Sequence, residues 1–150
     1  MSDGMDQKKA SEALIEAVQS SFAEMAFIDV VVDSSDADMP PHDRAAIDIM
    51  KPVSLRLEIS ASPELRSRIS DTLFGDMADR EKDDAFLELV NVAAGVFLSG
   101  YYGAGSEVRL ELPRYLFGDD EIDGSLVTEL KFDAEGEPIV AAIRSVRYRY

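Results

Sequence analysis

Asp84 to Tyr102 reads DAFLELVNVAAGVFLSGYY. Taken as a helix, it is apolar almost all the way round: Phe86, Leu87, Leu89, Val90, Val92, Val96, Phe97 and Leu98 leave little wet face. Such a helix is normally sunk in a core rather than laid along a surface. One narrow stripe breaks the pattern. Asp84, Glu88, Asn91 and Gly95 stand at i, i+4, i+7 and i+11, which at 3.6 residues per turn puts them within roughly 60° of one another. Leaving a carboxylate buried and unpaired costs several kcal/mol or more, so the stripe is expected to face water or a partner.

The rest of the composition narrows the classes open to the chain. Its 150 residues make one ordinary domain, and a 46% hydrophobic content is enough for a core. Lys and Arg total 15 against 30 Asp and Glu, a net charge of −15. Nucleic acid and anionic membrane surfaces are therefore poor partners for the whole chain. Cysteine is absent, which removes disulfides, thiolate catalysis and Cys-ligated zinc. The lysines of MSDGMDQKK precede no apolar run, unlike a signal peptide. No stretch reaches the roughly 20 apolar residues of a membrane span. A cytoplasmic protein is the expectation.

Around the central helix the chain alternates helical and strand-like segments. Residues 1–7 read as a flexible start and 8–150 as a single domain. Lys8 to Ala26 carries Leu14, Val18, Phe22 and Met25 at helical spacing. Phe27 to Val32 is short and β-branched, a strand signal, and DSSDADMPPHD is a loop. Ala45 to Met50 and Val53 to Ser60 alternate around Lys51-Pro52, which predicts a hairpin with Val53, Leu55, Leu57 and Ile59 inward and Ser54, Arg56 and Glu58 on a wet side. Ser62-Pro63 starts a shorter helix, as N-cap and first helical residue, and Gly75 ends it. The central helix begins near Ala78, and Gly103-Ala104-Gly105 terminates it. Glu107 to Leu112 reads as a strand with Val108, Leu110 and Leu112 inward, and Pro113 to Gly124 as irregular. Leu126 to Phe132 and Ile139 to Tyr150 form a second hairpin around Ala134-Glu135-Gly136. Short turns between strands argue for antiparallel pairing. The fold class expected is α+β: a largely antiparallel six-stranded sheet with two long helices and one shorter helix on one face. Glu16 and Gln19 on the first helix repeat the spacing of Glu88 and Asn91, which leaves an internal duplication open.

Few residues are candidates for chemistry. The sole histidine, His42, adjoins only Asp43 in a loop and lacks the oriented acid and nucleophile of a triad; it reads as an exposed loop residue. Asp33, Asp36, Asp38 and Asp43 could be imagined around Ca²⁺, but the glycine and late glutamate of an EF-hand are missing, so they read as solvated acids. No lysine or helix start follows Gly103-Ala104-Gly105, as a phosphate loop would need. Arg144, Arg147, Tyr148, Arg149 and Tyr150 are basic and aromatic, as in some nucleic-acid sites. In so acidic a chain they read as a closing strand that pairs with acidic neighbours and could leave an edge open to dimerisation. Glu88 and Asn91 remain. They form either a polar stripe satisfied by a neighbouring loop or a rigid display. Asparagine has no useful pKa and cannot be a general base, yet its amide both accepts and donates. That suits orienting a water, the part glutamine plays in some GTPases.

Asp84-x-x-x-Glu88-x-x-Asn91 followed by Gly95 resembles the signature of the CheC/CheX/FliY chemotaxis phosphatases, D/S-x-x-x-E-x-x-N, and the element order over residues 8–150 is similar too. With one intact motif, and Glu16/Gln19 only a degenerate echo, the chain resembles CheX more than the two-site CheC. The resemblance implies a phosphatase acting on the phospho-aspartate of a CheY-like receiver domain. In it Glu88 would pair with the receiver's active-site lysine and Asn91 would insert beside the acyl phosphate. Asp84 and Gly95 would contribute to partner binding, Gly95 by allowing close approach. Mg²⁺ would belong to the receiver, with no cofactor or metal on this chain, and a homodimer is implied. The alternative is a non-catalytic adaptor that uses the same helix face.

Overall fold

A computed structural model describes residues 5–35, 44–75, 78–116 and 124–146, without the side chains of 74 and 78–84. His42, Asp36, Asp38, Asp43, Arg147, Tyr148, Arg149, Tyr150 and the side chain of Asp84 fall outside that description.

Helix α1 runs Gln7–Ala26. The Asp6 carboxylate accepts from the backbone N–H groups of Lys8 and Lys9 at 3.0 and 3.2 Å, the usual way to satisfy the free donors of a first turn. Strand β1 is only Val30–Val32, shorter than Phe27 to Val32. Phe27 instead closes α1 in the left-handed region, φ 56°, and is 82% exposed. Then come β2 (Arg44–Lys51), β3 (Leu55–Ala61), α2 (Pro63–Phe74) and α3 (Ala78–Tyr102). The Ser62 hydroxyl caps α2 by accepting from Leu65 N–H at 3.1 Å, with Pro63 beside it. Strands β4 (Arg109–Leu110), β5 (Arg114–Leu116), β6 (Ser125–Ala134) and β7 (Glu137–Ser145) complete the order. The β6–β7 connection is a two-residue turn, Glu135 and Gly136, both at positive φ, with Ala134 opposite Glu137. This geometry matches the twist of a hairpin.

The strands make one antiparallel sheet ordered β1-β6-β7-β3-β2-β4, with β5 also on β2. Among the described residues seven strands form against the six expected, because β5 lies within the segment Pro113 to Gly124. The three helices cover one face. Their apolar sides meet Ile47, Ile49, Leu57, Ile59, Phe132 and Ile143 in a single buried core. The helix–turn signals thus hold, as does the inward set Leu55, Leu57 and Ile59, and the architecture is the α+β one expected.

The order is symmetric in chain terms. The first half (α1, β1, β2, β3) and the second (α3, β4 with β5, β6, β7) interleave: each half's leading strand pairs with the middle strand of the other, and β3 meets β7 at the centre. A duplication would give this arrangement.

Three expectations fail. First, Leu112, Val108 and Val53 are not inward: they are 86%, 46% and 42% exposed, only Arg109 and Leu110 of the 107–112 segment pair, and β3 begins at Leu55, past Val53. Second, the face of β3 carrying Arg56 and Glu58 is not wet. Asp48 on β2 and Glu58 are 8% and 3% exposed. Arg56 Nε and Arg114 Nη1 donate to Asp48 at 2.8 and 2.7 Å, and Arg44 Nη1 and Arg144 Nε donate to Glu58 at 3.2 and 3.1 Å. Alternation marks these residues as opposite to the core, but it cannot tell solvated charges from charges that bury one another. Third, β7 is no edge. It lies between β3 and β6, and the sheet's edges are β1 and the β4/β5 side. Arg144 does pair with an acid, as anticipated for the closing strand.

By length and hydropathy alone, Ala85–Tyr102 would also pass as a membrane span, with a mean hydropathy of 1.3, contrary to the reading that no stretch does. In this fold its Phe86, Leu89, Val90, Phe97 and Leu98 are consumed by the core.

Candidate functional site

Helix α3 is held on three sides. Ala85, Phe86, Leu89, Val90, Ala93, Ala94, Phe97 and Leu98 are buried. Phe86 stacks on Tyr115 of β5 at 6.3 Å between centroids, and Phe97 stacks on Tyr101 at 6.0 Å. Helix α1 crosses α3 closely at Gly100, where an added Cβ would lie 3.5 Å from that of Ala13. The start of α1 is also tied to the last turn of α3, since Asp6 N–H donates to the Tyr101 hydroxyl at 2.9 Å. A helix fixed in so many places cannot rotate about its axis without breaking core contacts, so side chains on its remaining face have set directions.

That face is the stripe. Glu88 and Gly95 are exposed and Asn91 is half-buried. Asp84 belongs to the same helix, though its side chain is not described. Among the described residues, neither Glu88 nor Asn91 has a side-chain hydrogen bond or ion pair. No neighbouring loop among the described residues satisfies them. Residues three apart on a helix have Cβ atoms about 5–6 Å apart, so a carboxylate and a carboxamide stand side by side, fixed and unengaged. Such a pair can accept from a cation with one member and both accept and donate with the other.

The stripe continues beyond the residues singled out from sequence. Ser99 is exposed and Tyr102 half-buried on the following turns. The signal was available, since Ser99 lies four residues past Gly95, but an apolar surrounding sequence made these positions read as helix end. Burial, with a smaller contribution from Tyr101, pushes the Tyr102 hydroxyl pKa upward, so it stays protonated.

The echo on α1 differs in its bonding. Glu16 is exposed, but the Gln19 side-chain amide donates to the Val30 carbonyl at 3.1 Å, tying α1 to β1. Of the acidic loop, Asp33 is described. It accepts from Ser35 N–H at 2.9 Å, which lowers its pKa. Among the described residues no three His, Asp or Glu side chains gather as metal ligands would.

The arrangement of this sheet and its helices is one that solved structures share. CheX from Desulfovibrio desulfuricans superposes with a TM-score of 0.73 at 14% identity, over 90% of this chain and 97% of that one. A CheC-like superfamily protein from Shewanella sp. PV-4 gives 0.66 at 16% identity, over 94% and 100%. CheX from Borrelia burgdorferi, solved as a CheX–CheY–BeF3–Mg²⁺ complex, gives 0.64 at 17% identity, over 92% and 98%. No protein-family model matches the chain, and no curated protein matches it in sequence. The fold is that of the CheC/CheX/FliY proteins.

Proposed function

We propose that this chain is a CheX-like member of the CheC/CheX/FliY family and a phosphatase of a phosphorylated CheY-like receiver domain, ending a chemotaxis or other two-component signal in the cytoplasm. The observation that carries this reading is the free, fixed Glu88/Asn91 pair on the exposed strip of an otherwise buried helix. The fold, and a similar protein caught with CheY, support it.

The chemistry follows from the residue types. Water attacks phosphorus, the acyl P–O bond breaks, the aspartate carboxylate leaves, and the proton passes to phosphate or solvent. This displacement needs in-line placement of the water more than a strong base. Asn91 supplies placement: its amide oxygen accepts from the water while its N–H₂ donates to a phosphoryl oxygen. Glu88, one turn away, pairs with a cationic side chain of the receiver and fixes the register of docking. Mg²⁺ sits on the receiver, and this chain brings no cofactor of its own.

The test is dephosphorylation of an acetyl-phosphate-loaded receiver. Asn91→Ala should abolish acceleration with no change in Tm, and Glu88→Ala should chiefly weaken affinity for the receiver. An Asn91→Ala variant that still hastens loss of phosphate removes the assignment. Wild-type binding without turnover favours an adaptor that uses the same face.

A further inference from the structure

Helix α3 runs one turn further than its counterpart in the first half. Helix α1 ends at Ala26, 10 residues past Glu16, whereas α3 ends at Tyr102, 14 residues past Glu88. The half that keeps its Glu/Asn pair unengaged is the half with the longer helix, and the added turn finishes in a tyrosine. At 100° and 1.5 Å per residue, Tyr102 lies about 20° round the axis from Asn91 and about 16.5 Å along it, on the same strip.

Tyr102 is also held still. Its ring meets that of Tyr101 edge-on, at 4.6 Å between centroids and 64°. Tyr101 is itself pinned: it stacks on Phe97, its hydroxyl accepts from Asp6 N–H at 2.9 Å, and the Lys9 ammonium stands 4.8 Å from its centroid. Tyr102 packs against the core yet remains only half-buried. Among the described residues its hydroxyl makes no hydrogen bond, and the raised pKa keeps it a donor at neutral pH. An oriented tyrosine with its apolar body packed and its hydroxyl unspent is the kind of residue that anchors protein interfaces.

We propose that Tyr102 is a second docking anchor, a positioning residue that fixes the angle at which α3 lies across the receiver and so keeps Asn91 in line. This deepens the phosphatase reading and rests on it. Along the axis Glu88 is about 4.5 Å from Asn91 and about 21 Å from Tyr102. With Glu88 as the sole anchor, α3 can swing about that point. A swing that displaces Asn91 by about 1 Å, which costs on the order of 100-fold in rate, carries Tyr102 through about 5 Å. Contact at Tyr102 blocks the swing: its hydroxyl donates to a carbonyl or carboxylate of the receiver, and its ring covers apolar surface there. The lever is long, so even a loose contact at this end gives fine placement at Asn91. Helix α1 stops short of any such lever, and its Gln19 amide is already committed to the Val30 carbonyl.

The experiment compares wild type, Tyr102→Phe and Tyr102→Ala. Tm, affinity for a beryllofluoride-loaded CheY-like receiver, and kcat and KM on acetyl-phosphate-loaded receivers are measured, the kinetics well below the Tm of every variant. Tyr102→Phe keeps the ring and its packing. It should leave Tm and kcat unchanged and raise KM about 2- to 10-fold, the loss of one hydrogen bond. Tyr102→Ala also releases the swing, so KM should rise on the order of 10-fold or more and kcat should fall towards 100-fold. A tyrosine serving only the fold would lower Tm in Tyr102→Ala and leave both kinetic constants alone. Wild-type KM and kcat in both variants, or a lower Tm in Tyr102→Phe, overturns this proposal alone, provided wild type is active. A wild type that neither binds nor dephosphorylates any receiver overturns both it and the phosphatase reading.

Discussion

Asp48→Ala tests the buried charges on the sheet face away from the helices. The substitution leaves Arg56, whose Nε lies 2.8 Å from the lost carboxylate, as a cation with a side chain only 10% exposed. Removing one partner of a buried pair costs about 3–5 kcal/mol, because the survivor keeps its desolvation without its counter-charge. At about 2–4 °C per kcal/mol for a chain of this size, Tm should fall by about 6–20 °C. Arg114 is the internal comparison. It bonds the same carboxylate at 2.7 Å, but its side chain is 41% exposed, and Arg114→Ala leaves Asp48 still held by Arg56. That change should cost at most about 1 kcal/mol, the range of a solvent-screened pair. Urea unfolding followed by circular dichroism reads both, with an unchanged m-value showing that stability and not the compactness of either state has moved. Equal losses for the two variants, or a loss under about 1 kcal/mol for Asp48→Ala, would refute the claim that burial makes this network strong.

Two other outcomes follow from described contacts. Glu135 accepts from Asp29 N–H at 2.9 Å and from Arg68 Nη2 at 2.8 Å, and the backbone donor first, then the arginine, holds its pKa below the usual 4.5. A carboxyl lowered in the folded state stabilises fully above its unfolded pKa and loses that contribution as pH falls through the folded value. Glu135→Gln should therefore flatten the stability profile below about pH 4.5, and an unaltered acid limb would dismiss this contact as a source of stability. The implied homodimer should sediment at twice the 16.5 kDa chain mass at tens of micromolar. Substituting Val31 on the exposed β1 edge with Lys should reduce that mass if the edge carries the contact, and a wild-type monomer would end the expectation.

Much of the fold and of the strip is legible in the sequence, for identifiable reasons. The bounds of α2 and α3 were legible because glycine, proline and serine act locally: Ser62, Pro63 and Gly75 bracket α2, and Gly103 stops α3. The Glu88/Asn91/Gly95 strip was legible because helical spacing alone puts residues on one side. What a periodicity cannot carry is the identity of a strand's neighbours. Glu107 to Leu112 alternates well yet pairs over only two residues, since β2 offers its edge to β5 as well. Arg56 and Glu58 alternate as wet residues yet are buried, because their partners Asp48 and Arg144 arrive from β2 and β7. The β propensity of Phe27 favours a strand, but the last carbonyls of α1 need a cap. Phe27 N–H donates to the Ala23 carbonyl at 3.2 Å, which holds the residue at the helix end.

The interleaved sheet has a kinetic meaning. Strand β7 is hydrogen-bonded on both flanks, to β3, made some eighty residues earlier, and to β6 just before it. On a ribosome, therefore, the open side of β3 waits unzipped until β7 has been made, some eighty residues later. Pairing of such sequence-distant strands is slow and leaves bare edges at risk of sticking to other chains. Neither half is a detachable module, and the burden of safe folding rests on how quickly one late strand finds its slot.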